Sequence, residues 1–339
     1  AATALAASQL ATVYQALGRL EDAERLHLEA VRIFEEIRDP QHLDTGLSIN
    51  NLAHFYLSQR KVAEARDLFQ RALGIFEGVR GPIHSDVALA HTNLALCAKF
   101  AGDDEAARRH FTRAVEIFAA LGPDRHELAI AQDNLAGFLA ERGLWGEALA
   151  AADSASEIVV RQVARGIHDA TAFGDTNAAR VPWNEAALAR YLRAAWEVWR
   201  ANDGLDAALP GKAFRRAQWI SQTSTAKALA DMAARQATGD AKLAALARRR
   251  QDLVAEWQRL DRQLLDAVMR KAAVRDRPRE QALRARLDVV GENLEIADRE
   301  LARHFPDYAA LASPRPLSIA EVQSLLADDE ALVLFQDTD

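Results

Sequence analysis

Leu10, Leu52, Leu94 and Leu135 stand 42, 42 and 41 residues apart, and an alanine follows each one: Ala11, Ala53, Ala95 and Ala136. The same period carries Ala23, Ala65, Ala107 and Ala148, then Ala30, Ala72, Ala114 and Ala155, then Ile33, Ile75, Ile117 and Ile158. Pro40, Pro82 and Pro123 close three of the four units. A repeat of this length constrains the fold more tightly than composition does. One such unit cannot bury its own apolar face, so consecutive units must stack and share a continuous core.

Each unit reads as two amphipathic helices. In 63-AEARDLFQRALGIFEG-78, Ala65, Leu68, Phe69, Ala72, Leu73 and Phe76 recur at spacings of 3 and 4, which places them on one helical face. Small residues let paired helices approach, and large ones fill the gaps between units. Gly18, Gly102 and Gly143 sit in the turn between the two helices, where a C-cap favours a left-handed backbone; Arg60 replaces the glycine in the second unit.

The stretches 10-LATVYQALGRLEDA-23, 52-LAHFYLSQRKVAEA-65, 94-LALCAKFAGDDEAA-107 and 135-LAGFLAERGLWGEA-148 resemble the tetratricopeptide repeat, in the 42-residue variety also seen in kinesin light chains. The resemblance covers residues 1 to about 160. It implies a right-handed solenoid whose first helices line a groove that, in the family, binds extended peptides or partner proteins. Gln9, Asn51, Asn93 and Asn134 each precede a key leucine. In the family an asparagine near this point faces the groove and bonds a peptide backbone, because an amide offers both a donor and an acceptor. These four are the candidate partner-binding residues. The alternative for them is to satisfy the neighbouring helix.

His42, His84 and His126 share the 42-residue period but fall in different loops between units. Two helices per unit, packed roughly 8–10 Å apart, keep these loops too distant for one ion, so they read as loop and capping residues and no metal site is expected. Cys97 lies on the inward face of a first helix and is expected to be a packed thiol.

The whole chain has 339 residues, more than the roughly 100–200 of a single domain. It is 50% hydrophobic but only 6% aromatic, with 16 glycines and 9 prolines, a balance that favours an all-α fold. A net charge of −7 speaks against a large nucleic-acid surface. One cysteine excludes an internal disulfide and any CxxC site, and no apolar run approaches the roughly 20 residues of a membrane span. A cytoplasmic location is the expectation. GxxxxGK[ST], HExxH and GxSxG are all absent, and no cofactor is expected.

After residue 160 the period dissolves. The stretch 166-GIHDATAFGDTNAARVPW-183 reads as a loop or domain edge, and residues 161–239 read as linker helices, 184–203 and 211–239. Residues 240–305 read as an antiparallel, coiled-coil-like hairpin reversing at Arg277-Pro278. Leu246, Leu253, Trp257, Leu260 and Leu264 line one arm with Arg250 interrupting; Leu283, Leu287, Val290, Leu294, Ala297 and Leu301 line the other. Arg248, Arg249 and Arg250 read as a solvated face.

In the tail, residues 306–339, Ser318 and Glu321 form an S-x-x-E capping box that starts a short helix, and 331-ALVLFQ-336 reads as one buried β-strand. The succession FPDYAALASPRPLSIAEVQSLLADDEALVLF resembles the run into CHAT domains, the caspase-like cysteine-protease fold found fused to tetratricopeptide repeats. Residues 212–235 and 243–260 look like the linker helices that precede such domains. The resemblance implies the regulatory and scaffold part of a protease, broken off within the first strand of the catalytic domain. The family's catalytic His and Cys would lie beyond Asp339, and neither His304 nor Cys97 matches them, so no catalytic residue is assigned. It also implies a protein activator, which in relatives can be a defence complex such as an RNA-guided effector. The competing expectation is a non-catalytic adaptor built from the same repeats.

Overall fold

The alanines at the repeat period bring the helices together. In the first unit, Ala1–Arg125 with Val268–Arg275, helices α1 (Ala2–Ala16), α2 (Leu20–Ile37), α3 (Leu43–Ser58), α4 (Val62–Arg80), α5 (Ser85–Ala101) and α6 (Asp104–Leu121) pair as hairpins. The pairs are α1 with α2, α3 with α4 and α5 with α6, and contacts between α2 and α3 and between α4 and α5 stack one hairpin on the next. Ala11, Ala53 and Ala95, and their second-helix counterparts Ala23, Ala65 and Ala107, have no exposed surface. Only a methyl fits where these helices cross, and Phe69, Ile75, Phe76, Phe111, Ile117 and Phe118 fill the space around them. Leu52 and Leu94 are buried as the period requires, whereas Leu10 is exposed because no described helix precedes α1.

The structure is a computed structural model that describes residues 2–164, 183–220, 240–268, 270, 275–312, 316–327 and 329–333. Residues 165–182 and 221–239, which include most of the expected loop and most of the second linker helix, lie outside the described residues, as do residues 334–336 of the expected strand.

The turns inside the hairpins share one hydrogen-bond pattern. Gly18, Arg60, Gly102 and Gly143 all have positive φ, at 74°, 60°, 77° and 72°. In each case the next residue's N–H donates back to the carbonyl five residues earlier, as in Lys61 to Tyr56 at 3.0 Å and Leu144 to Leu139 at 3.0 Å. His42 and His84 cap α3 and α5: each Nδ1 accepts from a backbone N–H two residues on, that of Asp44 or Asp86, at 3.1 Å. His126 is the first residue of α7.

The second unit, His126–Ala267 with Asp276–Asp339, holds the fourth repeat as α7 (His126–Glu141) and α8 (Trp145–Ala164). It continues with α9 (Trp183–Ala201) and α10 (Leu209–Ile220). α9 packs on both α8 and α7, and α10 packs on α9. The α9–α10 turn repeats the bond pattern of the others, with Asp203 at φ 49° and the Gly204 N–H reaching the Trp199 carbonyl at 3.0 Å. A fifth helical pair therefore follows the fourth repeat, in residues whose sequence has lost the period.

Helices α11 (Ala241–Val268) and α12 (Arg277–His304) are 28 residues each, about 42 Å at 1.5 Å per residue. They join through Leu253, Trp257 and Leu260 against Leu283, Leu287, Val290 and Leu294. Arg250, which interrupts the apolar seam, meets Asp298 across it at 2.5 Å; Arg249–Glu300 and Arg286–Glu256 flank that pair in antiparallel order. α13 (Pro306–Ala312) packs on α12, and α14 (Ile319–Gln323) starts at the Ser318–Glu321 capping box, with both reciprocal bonds formed.

No strand forms among the described residues. Ala331–Val333 have no regular structure, and Leu332 and Val333 are 57% and 64% exposed. An apolar run becomes a strand only against a ladder partner, and no described segment supplies one.

Candidate protein-binding face

On α3, Leu47, Asn51, His54 and Ser58 are spaced 4, 3 and 4 apart and all point to solvent, so they form one open stripe. One period earlier the same stripe on α1 is Leu5, Gln9, Thr12 and Ala16, again exposed. One period later, on α5, it is Leu89, Asn93, Leu96 and Phe100. The first unit thus carries an apolar row, Leu5, Leu47 and Leu89, exposed by 56%, 42% and 37%. Beside it runs an amide row of Gln9, Asn51 and Asn93.

The predicted amides do not stand alike. Gln9 and Asn51 are open to solvent, but the Asn51 amide nitrogen donates to Ser8 Oγ on α1 at 3.2 Å. Asn93 is only 7% exposed; its amide nitrogen lies 3.4 Å from Asn50 Oδ1 and 3.1 Å from His54 Nε2. Two of the three amides therefore tie each first helix to the one before it, and the Asn51 carbonyl stays on the open face. Asn134 holds the same register on α7 in the second unit and is half-buried. There the neighbouring face is occupied from α9. Arg190 Nε donates to Asp133 Oδ1 at 2.7 Å, and the guanidinium lies over Gly137, where a Cβ would come within 3.0 Å of Arg190 Nη1. Burial holds the Asp133 carboxyl above its ordinary range although Arg190 pulls it down.

Two features of the first unit depend on the fold: the exposure of the leucine row and the contact made by Arg60. The leucine row repeats at 42 residues, so its signal was present in the sequence, but only the fold shows it exposed rather than packed. Arg60 stands out as the non-glycine member of the turn series. Its guanidinium lies 4.4 Å from the ring centroid of Phe100, which is 45% exposed at the end of the α5 stripe.

The remaining chemistry of the unit is inward. Cys97 is fully buried among Ala53, Ala65, Phe69 and Leu94, and burial pushes its thiol up to about 11, far from a reactive thiolate. His91 on α5 and His110 on α6 bring their Nδ1 atoms to 2.9 Å. Burial, then His110 and then Arg113, pulls His91 down to about 4. Among the described residues no group of three or more metal-ligating side chains could hold an ion, and no described helix is long and apolar enough to cross a membrane.

Residues 2–78, 46–120 and 86–159 match the Tetratricopeptide repeat family. Among solved structures the chain is similar to a kinesin light chain with nearly identical TPR-like repeats from Podosopora anserina, at 21% identity over 64% of this chain and 94% of that one, with a TM-score of 0.47. It is similar to BtubC (BKLC) from P. vanneervenii at 20% identity over 64% and 80%, TM-score 0.49. The apo form of RapI aligns over 88% of this chain and 99% of its own, at 12% identity and a TM-score of 0.50, a likeness of fold alone. No curated protein matches the sequence.

Proposed function

We propose that this chain, whose residues 2–159 are tetratricopeptide repeats, is a protein-binding scaffold that holds an extended segment of a partner protein on the open stripes of α1, α3 and α5. The observation that carries this reading is the exposed Leu5, Leu47 and Leu89 row at one register of three successive first helices. An apolar row on the open side of a packed helical array adds nothing to folding, whereas it suits the side chains of a bound strand. Of the amide row beside it, Gln9 and Asn51 are exposed and bring the acceptor and donor that an extended backbone needs to that face, while Asn93 is buried and braces α5 against α3; Asn134, in the second unit, is a candidate by its register alone.

A finer reading rests on the tail. The order of repeats, helical neck and FPDYAALASPRPLSIAEVQ supports a regulatory region that couples partner binding to a caspase-like CHAT protease domain in cis, with a defence effector complex as the class of activator. The chain itself supplies no catalytic residue to that reading. A non-catalytic adaptor in the cytoplasm, built from the same repeats, is the second reading.

Two experiments separate these. Leu47→Asn with Leu89→Asn should abolish capture of peptides from a random display library while leaving the fold intact; retained capture overturns the scaffold face. Translation of the reading frame beyond Asp339 should yield about 150–250 residues with one His and one Cys in a caspase-like order, a domain-sized addition. A stop codon there overturns the protease reading and leaves the adaptor.

A further inference from the structure

Arg60 occupies a backbone conformation that its side chain does not favour. At φ 60° it stands where Gly18, Gly102 and Gly143 serve the other turns, and an L side chain in the left-handed region is disfavoured by its Cβ. Strain kept in this way points to a use for the side chain. The guanidinium lies over Phe100 of the next repeat at 4.4 Å and forms no ion pair or side-chain hydrogen bond with any described residue. Other basic side chains of the unit are paired within it: Lys61 with Glu24, Arg71 with Glu35, Arg19 with Asp22 and Arg80 with Asp86. In a chain of net charge −7, an arginine held over an exposed ring and paired with no described acid is a prepared anion receptor.

We propose that Arg60, stacked on Phe100, recognises the side-chain carboxylate of an Asp or Glu within the extended partner segment. The inference rests on the reading of the open stripes as a protein-binding face and specifies its ligand. A guanidinium held over a ring without an ion pair keeps N–H donors for two parallel bonds to a carboxylate, and the ring holds it in place before binding. The stripe on α5 sets the register. Leu89 and Phe100 are 11 residues apart, about 16 Å along the helix, which an extended strand crosses in about five residues. The ligand class is therefore a segment lying along α5, with an apolar residue at Leu89 of the leucine row and an acidic residue about five positions away at Arg60 and Phe100.

The test uses the full chain against a display library of random peptides of about twelve residues, more than twice the about five that run from Leu89 to Phe100 at about 3.3 Å per residue. Wild type should enrich Asp or Glu about five positions from Leu, Ile, Val or Phe. Arg60→Gly, which restores the residue found at the other turns and so keeps the fold, should still select the apolar position and lose the acidic one. For the best selected peptide, fluorescence anisotropy should show about a tenfold loss from Arg60→Gly, the same loss from acid-to-amide exchange in the peptide, and no further loss when both are combined. Arg60→Lys should retain part of the affinity.

Selected peptides without an acidic position overturn the inference and leave the scaffold reading standing. So does equal affinity in Arg60→Gly, or a requirement for a free peptide C-terminus. Failure of wild type to select any peptide overturns both.

Discussion

Gln218 and Leu317, 99 residues apart in sequence, exchange two hydrogen bonds: the side-chain amide donates to the Leu317 carbonyl at 2.9 Å and accepts from the Leu317 N–H at 2.9 Å. One glutamine thus does for the segment before α14 what a strand partner would do, and it anchors that segment to the fifth helical pair. Gln218→Leu keeps the bulk and removes both bonds, at a cost of about 1–3 kcal/mol for two half-buried backbone groups. Amide exchange at residues 316–323 should accelerate while α12 stays protected; unchanged exchange would show that the capping box alone holds the segment.

The histidine pair predicts acid sensitivity. In the second repeat the registers of His91 and His110 hold Ile49 and Leu68, and in the first Ala7 and Leu26, so an apolar contact has become a polar one. Both rings are held below the ordinary histidine range, His91 at about 4; burial is the first cause for each, and Arg113 for His91 and Arg109 for His110 add to it, with Asp103 opposing at His110. Between about pH 6.5 and 4 the unfolded chain binds protons that the fold refuses, so stability is complete above that window and falls with pH through it. The loss at His91 is on the order of 2 kcal/mol after partial exposure is discounted. Thermal melting of His91→Ile with His110→Leu should be flatter across that window than wild type; parallel curves would refute the assignment.

Removing Arg190 should cost more than neutralising Asp133. Arg190→Ala leaves a carboxylate that burial already disfavours, at about 1–3 kcal/mol, whereas Asp133→Asn leaves an amide that still accepts from Arg190. Urea unfolding of the two variants gives the order, and a larger loss in Asp133→Asn would mean that the ion pair, rather than burial of the acid, sets the energetics.

Arg60→Gly should leave stability within about 0.5 kcal/mol of wild type, because relief of a left-handed arginine, about 1 kcal/mol, offsets loss of the contact with Phe100, about 0.5–1 kcal/mol. Arg60→Val, β-branched in the same conformation and without the cation, should be destabilised by more than about 1 kcal/mol. Denaturation midpoints distinguish the two.

Much of the architecture was written in short-range pattern. Ala53 and Ala95 were recognisable as core by period alone, His42 and His84 as caps, and Ser318 with Glu321 as a helix start. The α11–α12 seam was legible through Leu283 to Leu301, and the break at Arg250 found its answer in Asp298. The site was legible in part: the register of Gln9, Asn51 and Asn93 was visible, but not that Asn51 and Asn93 spend their amide donors on the preceding helix.

The sequence by itself determined that residues 2–159 form helical pairs that stack within each unit, because burying one face of a helix demands apolar residues every three or four positions and stacking demands small residues at each crossing. Only the tertiary structure decided which faces stay open, since a leucine at Leu47 and one at Leu52 look alike until the neighbouring helix covers the second and leaves the first. It also decided the partners of Gln218, Arg190 and Arg250. Contacts between residues 48 to 99 positions apart leave no local period, and they depend on the chain having first folded its helices and brought them side by side.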